Sequence, residues 1–345
     1  MKPIERVSLT LQHKEPDRVP VYPLVNSIAR KAIGASYADL AKNAEICAQA
    51  YIKTTEKLGL DVICTLTDLS VEAADFGQKI VYSENEAAHP DGAFRLVKDV
   101  EDYLKIQPVN PRITPRMSEH IKLCNLLVQS KGKDVPIVAF IFAPLGILSM
   151  LRGPERFFMD VIDCPDYIKS ASEVITETLI EYCSALIETG VHAIMLDTLY
   201  ASQSIMSKQM WNELEAPYVK RISDHIHKSG CMVMLHNCGK GVYFDAQIEA
   251  MRPQAISFLH IPDGCKTYAD AKAKYGDITT LIGYVSPGWL MTAKPGEVEE
   301  ECKKEIDTMK KGGGFILSTG CEYPASLSFE NAEIMCRVAK EYGKY

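Results

Sequence analysis

The sequence predicts a single α/β domain, a (β/α)8 TIM barrel, on three observations. Eight short apolar runs alternate with stretches whose apolar residues recur at helical spacing, the pattern of parallel βαβ units. The 345 residues suit one barrel, a fold of roughly 200 to 400 residues. No Gly-, Ser- or Pro-rich linker, low-complexity segment or internal repeat divides the chain, so residues 1–345 are expected to form one unit. With no obvious switch point, closure is favoured over the runner-up, a doubly wound open sheet.

In order, an N-terminal helical extension over IERVSLTLQHK turns at EPDR into VPVYPLV, the first strand. A helical pattern over residues 39–58 stops at Gly59, and DVICTLTD is the second strand, ending at Asp68. From Phe76 to about Ile106 the pattern breaks into short alternating pieces with a turn at His89-Pro-Asp-Gly92, read as a small β-hairpin insertion. A helix over 115–131 leads to VPIVAFIFAP, the third strand; two helices parted near Cys164-Pro-Asp166 lead to HAIMLDT, the fourth. A helix over 207–229 precedes CMVMLHNC, the fifth. AISFLH, TTLIGYVSP and GGFILSTGC follow as strands six to eight, with helices near 243–251, 267–275 and 296–311 between them. FENAEIMCRVAKEYG closes the chain as a helix.

Composition narrows the function. Charged residues at 24% and hydrophobic ones at 47% are average for a globular protein, and no apolar run approaches the ~18 residues of a membrane span. A net charge of -7 and the absence of a basic run argue against a nucleic-acid surface. The charged N-terminus lacks an apolar signal core, so a cytoplasmic location is expected. The eleven cysteines are odd in number and scattered, which reads as thiols in a reducing compartment.

The chemistry gathers at the strand ends. CMVML runs into His236 and Cys238, and strand residues two apart share a face, so an imidazole and a thiolate reach one point. Cys321 ends the eighth strand at the same mouth, giving the three N/S ligands of a zinc site with one open position. His260, ending the neighbouring sixth strand, is by position the candidate fourth ligand. Asp68, Asp197, Tyr284 and Ser286 end strands two, four and seven and are candidate substrate or catalytic residues, although an Asp after a strand also commonly caps the next helix. No phosphate-binding loop, dinucleotide fingerprint or nucleophile elbow is present. Asp224-His-Ile-His227 with Gly230 approaches a cobalamin-binding pattern one residue out of register, and on a helix; His225 and His227 are expected to face solvent.

Over nearly its whole length the chain resembles the uroporphyrinogen decarboxylase superfamily, through HKEPDRVPV, TDLSVEAADFG, AFIFAPLGILSMLRG, LDTLYASQSIMSKQMWNELEAPYVKRI and GGGFILSTGCEYPASLSFEN. Within it the chain looks like the zinc-dependent corrinoid methyltransferases, among them those acting between methylcobalamin and coenzyme M, whose His-x-Cys and distant Cys match His236, Cys238 and Cys321. Asp68 falls where the decarboxylases keep their catalytic Asp. Their arginine-rich stretch after the first strand is replaced here by PLVNSIARKAIGAS, and their final Gly-His-Gly by Ser318-Thr-Gly-Cys321. The resemblance therefore implies methyl transfer between a corrinoid (cobalamin), carried on a partner protein docking at the barrel mouth, and a small thiol or methyl-ether or other methylated substrate. The alternatives are a decarboxylase-like lyase and a non-catalytic zinc- or tetrapyrrole-binding protein. A homodimer is a further expected assembly.

Overall fold

The computed structural model describes residues 1–345. After α1 (Pro3–Leu11) the chain runs extended through residues 19–25 as the first stave of the barrel, with no regular ladder. Pro20 and Pro23 have no N–H to give. The stave is held by single bonds instead, Tyr22 N to Leu317 O (2.8 Å) and Leu317 N to Pro20 O (2.9 Å) on one side, and Asp61 N to Val21 O (3.1 Å) on the other. These bonds close the ring.

Helices α2 (Tyr37–Lys42) and α3 (Ala44–Leu58) replace the one expected over 39–58. The break falls at Asn43, whose side chain caps α3 by accepting from Ile46 N at 3.0 Å, and α3 ends at Gly59, φ 68°. Strand β1 (Ile63–Cys64), α4 (Val71–Asp75) and the antiparallel pair β2 (Ile80–Val81) and β3 (His89–Pro90) follow, the last two forming the core of the expected insertion. Next come α5 (Pro115–Lys131), β4 (Ile137–Phe142) and three helices rather than two: α6 (Pro144–Arg152), α7 (Pro154–Asp163) and α8 (Pro165–Glu188). Each starts on a proline, which fits a first helical turn but not a helix interior. Then come β5 (Ala193–Asp197), α9 (Lys208–Leu214), α10 (Ala216–Lys228), β6 (Met232–Asn237), α11 (Phe244–Met251), β7 (Ala255–Phe258), α12 (Tyr268–Tyr275), β8 (Thr280–Ile282), α13 (Pro287–Leu290), α14 (Pro295–Met309), β9 (Phe315–Ile316) and α15 (Glu330–Glu341). Pro217 sits in the first turn of α10, splitting the helix expected over 207–229.

The parallel sheet runs β1-β4-β5-β6-β7-β8-β9, and the residue 19–25 stave lies between β9 and β1. Alternation along the strands makes two cores. Tyr22, Leu24, Cys64, Val138, Phe140, Met195, Met234 and Ile316 fill the barrel interior, and the much larger outer layer packs strands against helices. Val7 of α1 reaches the interior cluster from below, so the N-terminal helix acts as a floor. No helix is long and apolar enough to cross a membrane.

Candidate metal centre

β5, β6 and β7 lie side by side in fixed register, with Asp197 opposite His236 and His236 opposite Ser257. His236 is buried, and its Nδ1 lies 3.0 Å from Ser257 Oγ. With Nδ1–H donating to the hydroxyl, Nε2 is left with its lone pair for a metal, the usual way an outer group sets a ligand tautomer. Cys321 arrives from the far end of the chain by a close backbone approach. A Cβ on Gly320 would stand 2.6 Å from Leu259 Cα, so only glycine lets this segment lie against the end of β7.

The result is the one cluster of three His, Cys, Asp or Glu residues suited to a metal ion: the ligand atoms of His236, Cys238 and Cys321 all lie within 4.8 Å of one another. Tetrahedral zinc, with bonds of about 2.0 to 2.3 Å, needs ligand atoms roughly 3.5 to 4 Å apart, so two thiols and an imidazole at this spacing fit it in chemistry and reach. The cysteines respond to each other. The neighbouring Cys238 and His236 hold the Cys321 thiol below its usual value, against the effect of burial, while the Cys238 thiol is pushed up. Burial opposes protonation of His236, yet Cys321 and Asp197 hold its pKa above the usual value.

Asp197 stands at the edge of this cluster, 6% exposed, with Oδ1 lacking any hydrogen-bond partner. Burial pushes its carboxyl up to about 6, with His236 pulling the other way. It caps nothing, because the next helix, α9, begins at Lys208 and is capped by Ser207. Asp68 is committed differently: Oδ1 accepts from Ser70 N at 2.8 Å and Oδ2 from Arg116 Nη2 at 2.6 Å.

Three expected site residues are placed apart from the cluster or in other contacts. His260 does not join the cluster; beyond the Gly320–Leu259 crossing it stands near Lys240, and burial followed by that charge lowers its pKa. Tyr284 leaves the mouth, since after Gly283 strand alternation lapses and its ring stacks on Tyr268, 3.6 Å away and within 4° of parallel, in the outer layer. Ser286 is the N-cap of α13, accepting from Trp289 N at 3.4 Å. Away from the site, His225 and His227, expected to face solvent, are half-buried, bonded to Ser184 Oγ (2.8 Å) and Met251 O (3.0 Å).

Other residues emerge only in three dimensions. Ser257 is one. Glu322, beside Cys321, accepts from Ser27 N at 2.7 Å, and burial pushes its pKa up. Glu72, 3% exposed, accepts from Phe142 N at 3.1 Å, and burial pushes it up to about 8. Polar residues within the apolar strand, such as Ser257 in AISF, were the available signal. The pairing itself was not.

A closed parallel barrel with a buried His and two half-buried Cys gathered at its C-terminal mouth has the layout of a barrel enzyme whose site lies at the strand ends. Residues 2–342 match the family described as Uroporphyrinogen decarboxylase (URO-D), and the chain belongs to that family. Among relatives it is similar to the methylcobamide:CoM methyltransferase MtaA of Methanosarcina barkeri, 23% identical over 98% of this chain and 97% of the relative. It is also similar to the uroporphyrinogen decarboxylase of Pelobacter propionicus, 22% identical over 99% and 96%. A solved methyltransferase from Methanosarcina mazei shares the fold, with a TM-score of 0.83 at 21% identity over 99% of both chains.

Proposed function

We propose that the protein is a corrinoid-dependent methyltransferase in which His236, Cys238 and Cys321 hold one zinc ion. The observation that carries this reading is the convergence of an imidazole and two thiols from the end of β6 and the segment after β9 within 4.8 Å. Bound there, zinc would supply Lewis acidity toward a thiol or a methylated oxygen. A corrinoid on a partner protein docking at the mouth would be the other methyl carrier.

The chain's own residues orient and enclose. Ser257 fixes the His236 ring, and the apolar barrel interior beneath the centre keeps water from below. Asp197 lines the substrate space, where its free oxygen can accept a hydrogen bond from substrate. The whole chain is read as one domain serving this site. Relatives named as methyltransferases and as decarboxylases both align end to end, so similarity alone does not choose between them. The site favours methyl transfer: after the first stave the cations are Arg30, over the Tyr37 ring at 4.1 Å, and Lys31, bound to the Ser326 and Leu327 carbonyls, too few for a substrate with many carboxylates.

Two measurements test it. Elemental analysis should find one zinc per chain, lost in Cys238→Ser. Anaerobic assays should show methyl transfer to or from cobalamin and no decarboxylation of uroporphyrinogen. Stoichiometric zinc in the variant, or porphyrinogen turnover at ordinary enzymatic rates, would overturn it.

A further inference from the structure

We propose that a groove beside the metal centre holds the body of a flat aromatic methyl donor bearing one carboxylate, with Arg95 as its anchor; this deepens, and rests on, the methyl-transfer reading. The groove, of about 720 Å³, opens at the mouth where the segment after β5 meets the α6–α7 corner and the inserted hairpin. Its size is that of a small-molecule site, roughly 300 to 1,000 Å³. Phe142, Met150, Phe158 and Tyr200 supply its walls, the Phe158 and Tyr200 rings lying 5.9 Å apart and tilted by 36°. It adjoins the centre, because Phe142 pairs in register with Asp197, and Leu199 and Tyr200 follow Asp197 along the chain.

Arg95 is the only charged side chain lining the groove. Its Nη1 donates to the carbonyls of Asp91 (2.7 Å) and Phe94 (3.2 Å), which hold the guanidinium in place. Nη2 has no protein partner, and no carboxylate lies within ion-pair reach. The buried arginines Arg6, Arg18, Arg116 and Arg152 each hold a carboxylate, so Arg95 differs from them. Space for it is provided by Gly153 (φ +90°), where a Cβ would stand 2.8 Å from Arg95 Nε. A fixed cation without a counter-ion, at one end of an aromatic-walled slot, matches a ligand with an apolar ring and one anionic group.

Calorimetry on the full-length protein tests this with 3-methoxybenzoate and its uncharged isostere 3-methoxybenzamide. The acid should bind wild type, and Arg95→Gln should weaken it roughly ten- to a hundredfold, as loss of a charge-assisted bond does. Arg95→Lys should retain most of the affinity, and the amide should bind wild type and Arg95→Gln alike. Equal affinity of the acid for wild type and Arg95→Gln, or no binding of the acid to wild type, overturns the groove assignment. So does an Arg95→Gln effect confined to the KM for the corrinoid protein, which would mark a docking contact. If the glutamine variant melts early, the Lys variant against wild type carries the test: affinity lost with the charge retained overturns it. Binding is read without corrinoid, so the two readings fail separately. Acid that binds through Arg95 in a protein that moves no methyl group to or from cobalamin sinks methyl transfer and keeps the groove.

Discussion

Two aspartates sit at opposite ends of the same barrel and are treated in opposite ways. Asp61, fully buried at the floor, accepts four hydrogen bonds: from Arg6 Nη1 (2.7 Å), Arg18 Nη1 (2.8 Å), Arg18 Nη2 (3.2 Å) and Val21 N (2.8 Å). It ties α1, the first stave and β1 together, which a proline-interrupted stave needs. Asp197, nearly as buried at the mouth, has an oxygen with no partner at all. A buried polar atom left unpaired costs about 1 to 3 kcal/mol. A fold that satisfies every acceptor of one aspartate and leaves the other short fits a stability device at the floor and the proposed substrate-lining residue at the mouth. Barrels in general divide their two ends this way.

The largest effect should come from the mouth. Cys321→Ser removes one of the three proposed zinc ligands and is expected to lower methyl transfer at least about a thousandfold with loss of zinc, since the Lewis acid would go with it. Its melting curve should stay close to wild type. Elemental analysis, the transfer assay and a thermal melt read all three, and collapse of the fold would show that the centre is structural. At the floor the pattern should invert. Asp61→Asn leaves two buried arginines without their shared carboxylate and should cost about 3 to 5 kcal/mol in denaturant titrations, because breaking a buried pair strands a charge. Zinc per folded chain should not change.

Asp197→Asn should lower turnover about ten- to a hundredfold with little loss of stability, and pH gives it a signature. In zinc-free protein, burial raises the Asp197 carboxyl from 3.8 to about 6, so the native state holds the proton more tightly than the unfolded chain does. The favourable contribution is therefore complete below the unfolded pKa and disappears as pH rises through about 6. Relative to the Asp197→Asn variant, wild type should lose stability between about pH 4 and pH 6 in urea titrations. A constant gap across that range would mean the carboxylate is not penalised by its surroundings. Ser257→Ala should weaken zinc binding by about tenfold against a competing chelator, the lower end of outer-shell effects.

How much of this was legible in the sequence follows from how far each contact reaches along the chain. His236 and Cys238 were legible because period two along one strand needs no partner. Cys321 was legible as a strand end, but its approach depends on Gly320 meeting Leu259, a contact 61 residues away in sequence. Ser257 could not be found, because its bond to His236 is set by the register of β6 on β7. Tyr284 misled because Gly283 ends the alternation that put it at the mouth. Ser286, followed by Pro287 at a helix start, carried a capping signal that its place at a strand end outweighed. In the wall, seven of the eight expected strands became ladder strands; the first, with its two prolines, closes the ring by isolated bonds.

The smallest effect is expected at His260. Strand order puts it next to His236 and Cys238, so position alone favours it as the fourth ligand. The geometry does not: its ring is outside the cluster whose ligand atoms lie within 4.8 Å, and after burial the influence on its pKa is the charge of Lys240. A cation beside an imidazole disfavours a second positive charge but does nothing to aim a lone pair at a metal. His260→Ala should therefore leave zinc content unchanged and transfer within about threefold of wild type, an effect of the size expected from a half-buried rim residue. X-ray absorption at the zinc edge is the decisive reading. Two sulfurs, one imidazole and a light-atom ligand in both wild type and His260→Ala keep the mouth as described, with the open position left for substrate. A second imidazole in wild type that vanishes in the variant would instead require β7 and the segment carrying Gly320 to shift when zinc binds.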